Sequence, residues 1–404
     1  MPEVYDLLIV GGGPGGLTAG IYGSRARLAT AIIEKGRPGG QAASTMEMEN
    51  YPGFYEKTTG PGIMKQFAAH AEHFGTTVLK GTVAEVDFDG PIKTVTTKTG
   101  ESYRAHSVIL SPGAEPRSLG IPGEGKLRGK GVSYCATCDA DFFEELDIVV
   151  VGNGDAAIEE AVYLTKFAES VTVIVIHDEG VLDCNRMSAE RAFENPKIRW
   201  MWNSVLDEIE GDELVEGVVV RNVKTGGLTP LEVNGVFFFV GTVPKTEFLR
   251  GKVELDEQGY ILTNEMMETN IPGVYGVGDA RAKYLRQVVT AAADGAIAAV
   301  AAEKYLHEME TLRKNVLESP RPVLLLFWAP QVEQSIAAVG TTEEAAAGAD
   351  ASLVKMDVYR NKKTAGIYNV TQTPTLLLVE GGQEKSRIEG VFTAEDVQTL
   401  LRGE

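Results

Sequence analysis

Val4-Tyr5-Asp6-Leu7-Leu8-Ile9-Val10-Gly11-Gly12-Gly13-Pro14-Gly15-Gly16 begins with a short, largely apolar run and stops on a glycine-rich turn. Leu17, Ala19, Ile21 and Tyr22 continue it with helical spacing, so the stretch reads as strand, tight turn, helix. In Gly11-x-Gly13-x-x-Gly16 the backbone can approach a pyrophosphate seated on the helix N-terminus. Ala29 to Ile33 forms the next strand and ends at Glu34, a carboxylate suited to ribose hydroxyls and unsuited to a 2′-phosphate. The pattern predicts a dinucleotide fold that takes FAD or NAD more readily than NADP.

A second such unit follows. Asp147 to Val151 reads as a strand, Gly152-Asn153-Gly154-Asp155-Ala156-Ala157 as the turn, Ile158 to Phe167 as the helix and Val171 to Ile176 as the next strand. That strand runs into His177-Asp178-Glu179-Gly180, with an acid where a ribose would lie and Arg186 as the nearby cation. Two units in one chain imply two dinucleotides, an electron donor and a flavin. The expected fold class is α/β, with two Rossmann-like, three-layer ββα domains.

Between the units lies Ser133-Tyr134-Cys135-Ala136-Thr137-Cys138-Asp139, which holds two of the three cysteines. Two thiols separated by two residues lower one another's pKa and close a small ring, the chemistry of a redox dithiol. The same spacing is half of a zinc site or a structural disulfide. The third cysteine, Cys184, stands alone, no histidine pair has ligand spacing, and so tight a loop hardly constrains an unfolded chain.

A formal charge of −19 opposes binding to nucleic acid or an anionic membrane. No apolar run approaches the ~18 residues of a membrane span, and the start does not resemble a signal peptide. The expectation is a cytoplasmic protein, consistent with few cysteines in a long chain. Within the first unit, strands around Thr77 to Leu79, Val83 to Phe88 and Lys93 to Thr97 read as an inserted meander after a helix carrying the solvated His70 and His73. Val108 to Leu110 then returns to the sheet and ends at Ser111-Pro112-Gly113-Ala114. Further on, Gly273-Val274-Tyr275-Gly276-Val277-Gly278-Asp279 reads as a strand that places a carboxylate against a ribityl hydroxyl, before a helix from Gln287 to about His307.

These stretches resemble the low-molecular-weight thioredoxin reductases from about Tyr5 to Tyr305. The most specific match is Gly131-Val132-Ser133-Tyr134-Cys135-Ala136-Thr137-Cys138-Asp139. Gly39-Gly40-Gln41, Glu49-Asn50-Tyr51-Pro52-Gly53, Gly120-Ile121-Pro122-Gly123-Glu124 and Arg286-Gln287-Val288-Val289-Thr290 support it. The resemblance implies that Gly11, Gly13, Pro14, Gly16, Glu34, Lys35, Gly40, Gln41, Asn50, Val83, Gly113, Gly278, Asp279, Arg286, Gln287 and Val288 hold FAD. It assigns Gly152, Gly154, Asp155, Ala157 and Asp178 to the pyridine nucleotide. Cys138 would lie against the flavin, Cys135 would attack the disulfide of a thioredoxin or thioredoxin-like partner, and Asp139 would exchange the proton. The inserted domain would rotate about crossings near Arg117 and Pro244, and the protein would be a homodimer.

Two features depart from that family. NADPH-using members carry His-Arg-Arg where this chain has His177-Asp178-Glu179, which favours NADH over NADPH; a ferredoxin or another non-nicotinamide donor is the alternative. The chain also extends into a tail that resembles thioredoxin through Phe327-Trp328-Ala329-Pro330 and a cis-proline turn expected at Thr373-Pro374-Thr375, with Val332 and Ser335 in place of the dithiol. Such a module cannot exchange disulfides and reads as a docking, regulatory or dimer-packing domain. The expected plan is FAD domain at 1–116 and 245–312, dithiol and nucleotide domain at 117–244, linker at 313–322 and thioredoxin-like domain at 323–404. A peroxiredoxin-linked flavoprotein and a partner-binding protein with a vestigial flavin half are the competing functions.

Overall fold

The computed structural model describes residues 3–44, 48, 50–54 and 58–402, so Glu49 lies outside the described residues. The opening run forms the strand Tyr5–Val10, fully packed from Leu7 to Val10 because its neighbours cover both faces. It lies parallel to Thr30–Glu34 on one side and to Ser102–Leu110 on the other. Thr77–Lys80 extends the sheet beyond Thr30–Glu34. Ser102–Leu110 does two jobs along its length. Its first half pairs antiparallel with Lys93–Thr97 of the meander, and its second half pairs parallel with Val274–Gly276. The late segment of the chain thereby rejoins the first fold, completing a seven-stranded sheet.

The helix Pro14–Arg25 packs against the long helix Val288–Leu312, and the approach needs glycine on both sides. A Cβ on Gly295 would lie 2.1 Å from the Gly15 carbonyl oxygen, and one on Gly16 would lie 1.9 Å from that of Gly11. Both contacts are far inside van der Waals distance, so the turn and the helix pair tolerate no side chain there.

The second fold is a five-stranded parallel sheet in the order Ile198–Met201, Ser170–Ile174, Asp147–Val151, Gly235–Phe238, Val132–Ser133. The antiparallel strands Ser204–Glu210, Gly217–Asn222 and Leu228–Glu232 cover one face, burying Leu206, Ile209, Val218 and Val220 against Val149 and Val236. The helix after its glycine turn runs Asp155–Leu164, starting earlier than the apolar periodicity suggests because Asp155 supplies the acidic first turn. The two crossings into and out of this fold pair with each other: Ala114–Pro116 lies antiparallel to Thr242–Pro244, with a Lys245–Glu115 ion pair of 2.6 Å beside them.

The tail forms a four-stranded sheet in the order Ser352–Asp357, Val323–Trp328, Thr375–Glu380, Gln383–Glu389. Helices Glu333–Ala346 and Ala394–Arg402 close one face. The Thr373-Pro374 peptide bond is cis, as expected from the sequence. The expected linker at 313–322 is only partly a connector. The long helix passes directly into a π-helical turn, Arg313–Leu317, and Leu312 and Val316 are buried with Leu325, Phe327 and Leu377 of the small sheet. Burial of each such side chain is worth about 1.5–3 kcal/mol, which makes this segment part of the small domain's core. Glu308 of the long helix also accepts from the Thr364 backbone N–H at 2.6 Å.

Candidate active site

Cys135 and Cys138 form a disulfide, S–S 2.10 Å, across the one-turn helix Ala136–Asp139. Ser133 ties the loop together: its hydroxyl donates to Asp139 Oδ2 at 2.6 Å and accepts from the Cys135 N–H at 3.1 Å. Burial raises the Asp139 pKa above the ordinary carboxylate range, opposed by the Ser133 hydrogen bond. Beside Cys138 opens a cavity of about 210 Å³ lined by Asn50, Thr137, Asp141, Tyr163 and Phe167 among others. Cys184, the remaining thiol, has its pKa raised by burial and by Asp155, the wrong direction for a reactive cysteine.

The disulfide faces the first fold through Gln287, the N-cap of the long helix. Gln287 Nε2 lies 3.7 Å from Cys135 Sγ and 3.3 Å from Thr137 Oγ1, while Gln287 Oε1 lies 3.9 Å from Cys138 Sγ. Asn50 Nδ2 donates to that same Oε1 at 3.1 Å. A second bridge joins the folds where Arg128 stands over the Tyr134 ring, 4.9 Å from its centroid, and donates to Gln41 Oε1 at 3.4 Å. Tyr134 in turn donates to the buried Glu124 at 2.6 Å.

Several of the expected flavin residues lie on or against the first glycine turn. Glu34 Oε2 accepts from the Gly12 N–H at 2.7 Å and Oε1 from the Gly36 N–H at 2.9 Å. Pro14 begins the helix, Gly40 lies against Gly13, and Gly113, at φ +76°, has open space around its Cα. Lys35 is exposed beside Glu34, Val83 packs on the core of the sheet, and Val288 packs with Met48 and Ile63. Asp279 carries an enclosed Oδ1 with no hydrogen-bond partner among the described residues, and burial raises its pKa. Its turn is clasped by the buried Asp294, whose Oδ2 accepts from the Gly278 N–H at 3.0 Å, Arg281 Nε at 3.1 Å and Lys283 Nζ at 2.7 Å. Arg286 stacks over Tyr260 at 4.1 Å and donates to the Asp279 carbonyl at 3.2 Å. Asp294, Ser133, Thr137 and Arg128 escape a reading of the sequence. Asp294 sits in an alanine-rich helical run, where an acid reads as solvated, and only the folded loop brings its cations to it.

The second turn is arranged differently. Gly152 and Ala157 meet as the motif requires, and Gly154 stands in open space before the helix. In register, however, Val151 pairs with Ile174 as Val10 pairs with Ile33, so the buried Val175 occupies the place that Glu34 holds in the first fold. Asp178 lies four residues beyond the end of Ser170–Ile174 and is paired with Lys224. Asp155 Oδ1 accepts from the Asn185 backbone and side-chain nitrogens at 2.7 and 2.8 Å. Asp183 joins Asn153 at 3.0 Å and His177 at 2.9 Å. Arg186 is paired with Glu190 at 2.7 Å.

Comparison with known proteins follows the same division. The family model for pyridine nucleotide-disulphide oxidoreductases matches residues 5–295, and that for thioredoxin matches residues 304–402. A thioredoxin reductase of Peptoclostridium acidaminophilum is 49% identical over 312 residues, covering 76% of this chain and 98% of its own. The solved thioredoxin reductase of Streptococcus pyogenes MGAS5005 is 43% identical, with TM-score 0.72, covering 76% of this chain and 99% of its own. That of Lactococcus lactis, described as in the FR conformation, is 42% identical over 75% of this chain and 99% of its own, yet has a TM-score of 0.54. No helix among the described residues is long and apolar enough to cross a membrane.

Proposed function

This chain belongs to the thioredoxin reductases of the pyridine nucleotide-disulphide oxidoreductase family, and on that premise we propose that it carries electrons from NADH through FAD and the Cys135–Cys138 pair to a separate thioredoxin-like protein in the cytoplasm. The observation that carries the reading is the disulfide itself, held by Gln287 and Asn50 against the fold whose Asp279 keeps an enclosed carboxylate oxygen with no partner among the described residues. That orphan acceptor and the glycines flanking it suit the hydroxyls and pyrophosphate of FAD. Gly11, Gly13, Pro14, Gly16, Glu34, Lys35, Gly40, Gln41, Asn50, Val83, Gly113, Gly278, Asp279, Arg286, Gln287 and Val288 would hold it. Bound FAD supplies the two-electron chemistry that links a nicotinamide to a disulfide.

The chain's own residues divide the remaining work. Cys138 takes the inner position beside the cavity, and Cys135 attacks the partner's disulfide once the pair is open. Asp139, kept protonated to higher pH by burial, gives and takes the proton, and Ser133 orients it. The paired crossings at Ala114–Pro116 and Thr242–Pro244 serve as the hinge about which the inserted fold turns. The lower TM-score of a relative equally similar in sequence supports two arrangements of the same folds.

Preference for NADH rests on Asp178, Glu179 and Asp183, which would repel a 2′-phosphate, while Lys224 and Arg186 are already paired. Gly152, Gly154, Asp155, Ala157 and Asp178 form that subsite. A non-nicotinamide donor is favoured by one observation, the substitution of Val175 for a ribose-binding acid at the sheet edge. The electrons leave for a separate partner because Val332 and Ser335 cannot exchange disulfides; Ser335 is buried and holds the Ala329 N–H at 2.8 Å. Exposed Leu285, Val289, Ile297 and Val300 on and beside the long helix supply an apolar face for a homodimer. Anaerobic stopped-flow mixing of the flavoprotein with NADH, NADPH or a low-potential protein donor, followed by addition of oxidised thioredoxin or peroxiredoxin, tests the scheme. NADH should bleach the flavin and release thioredoxin thiols; bleaching by the protein donor alone would overturn the choice of NADH.

A further inference from the structure

The Gln287 side chain meets both sulfurs of the disulfide with opposite ends of one amide. Its donor nitrogen lies 3.7 Å from Cys135 Sγ, and its acceptor oxygen lies 3.9 Å from Cys138 Sγ. Asn50 Nδ2, donating to Oε1 at 3.1 Å, fixes which end faces which sulfur. The other Nε2 proton reaches Thr137 Oγ1 at 3.3 Å, and that hydroxyl is 3.5 Å from Cys135 Sγ. Thr137 thus accepts from the amide and is free to donate to the sulfur, a chain in which each bond strengthens the next. Cys135 has two donors aimed at it, and Cys138 has one acceptor.

We propose that Gln287 and Thr137 polarise the disulfide, so that its opening leaves the charge on Cys135 and the proton on Cys138. The inference rests on the reductase reading for the source of electrons. Two electrons enter the pair from the donor side of that activity and the S–S bond breaks. Cys135 keeps a lone pair as thiolate under two donors, and Cys138 takes one proton, delivered by Asp139 and replaced from solvent, to become a thiol facing Gln287 Oε1. Donors stabilise the charged sulfur and an acceptor stabilises the protonated one.

The two donors sit on different bodies. Thr137 travels with Cys135, whereas Gln287 caps a helix of the flavin fold. Rotation about the paired crossings withdraws the amide and leaves the hydroxyl. Cys135 is then a stabilised leaving group against the flavin fold and a more basic, more nucleophilic thiolate away from it, since nucleophilicity rises with pKa.

The test is the pH dependence of iodoacetamide alkylation in the flavin-bound protein after reduction by a phosphine, with Cys135 and Cys138 resolved by peptide mass. Thr137→Val and Gln287→Leu should each raise the Cys135 midpoint by about one pH unit while the Cys138 midpoint stays or falls. Gln287→Glu, which presents oxygen to both sulfurs, should raise Cys135 further than Gln287→Leu. An unmoved Cys135 midpoint, or both sulfurs rising together, overturns the proposal. If Gln287→Leu purifies without flavin, Thr137→Val decides alone by the same criterion. Chemical reduction makes the readout independent of donor and partner. Shifted midpoints in a protein that fails to reduce thioredoxin would sink the reductase reading and leave this one standing.

Discussion

The two glycine turns are the same motif in different surroundings. The first is held by a carboxylate at the sheet edge, Glu34, and lies by an acceptor without a partner among the described residues, Asp279 Oδ1. The second has Val175 at that edge, and its polar groups are spent on its own loop through Asp155 to Asn185 and Asn153 to Asp183. One turn keeps unsatisfied polarity for a ligand and the other has satisfied most of its own. The glycine spacing reports the strand, turn and helix; the residues around it decide how firmly a nucleotide is held.

The largest effect should come from a glycine of the first turn, set against a glycine of the second. Gly16→Ala would put a methyl 1.9 Å from the Gly11 carbonyl oxygen, so the turn must move. A cost of about 3 kcal/mol or more and loss of bound flavin are expected, read from thermal unfolding and the flavin-to-protein absorbance ratio. The second fold already carries Ala157 there. Gly154→Ala meets nothing within 4 Å and should cost about 1 kcal/mol or less with flavin content unchanged. Equal losses in both variants would erase the distinction between the turns.

Next in size is the choice of donor. Asp178→Arg replaces the carboxylate paired with Lys224 by a guanidinium suited to a 2′-phosphate. The NADH-to-NADPH ratio of flavin reduction rates should fall by about tenfold or more, the scale of one charged contact. A ratio that does not change would mean that Asp178 is remote from the nucleotide.

Much of this arrangement is legible in the chain. Apolar runs that stop on glycines announce both nucleotide folds, and Phe327-Trp328-Ala329-Pro330 with Thr373-Pro374 announces the small one, because these signals are local. Contacts made over long separations are not legible. Leu312 and Val316 look like the edge of a linker until the sheet that buries them has formed. Gln287 meets Cys135 across 152 residues, and nothing near either residue points to the other. Asp178 lies four residues past its strand end and pairs with Lys224, 46 residues on, a partner that nothing in its own stretch announces.

The smallest effect concerns the two carboxylates, whose pKa values move in opposite directions. Burial raises Asp279, with Lys283 and Arg286 opposing, whereas the hydrogen bond and charge of Lys224 lower Asp178. A raised folded pKa means that the native state holds a proton the unfolded chain has lost, so Asp279 costs stability as pH climbs from the ordinary carboxylate value to the raised one. A lowered pKa acts in reverse: the Asp178 contribution is present above its unfolded value and is lost as pH falls through the folded one. Thermal midpoints of the flavin-free protein from about pH 3 to 8 separate the two. Asp279→Asn should remove the decline on the neutral side and raise the midpoint there. Asp178→Asn should remove only a slight, salt-sensitive loss on the acid side, since its pair is exposed. An Asp279→Asn curve parallel to the parent's would show that Asp279 is already satisfied without a ligand. Rebinding flavin supplies the sharper form of the contrast: a cofactor hydroxyl donating to Asp279 Oδ1 would stabilise its charge and flatten the parent's neutral-side decline, while the Asp178 side of the curve stays as it was.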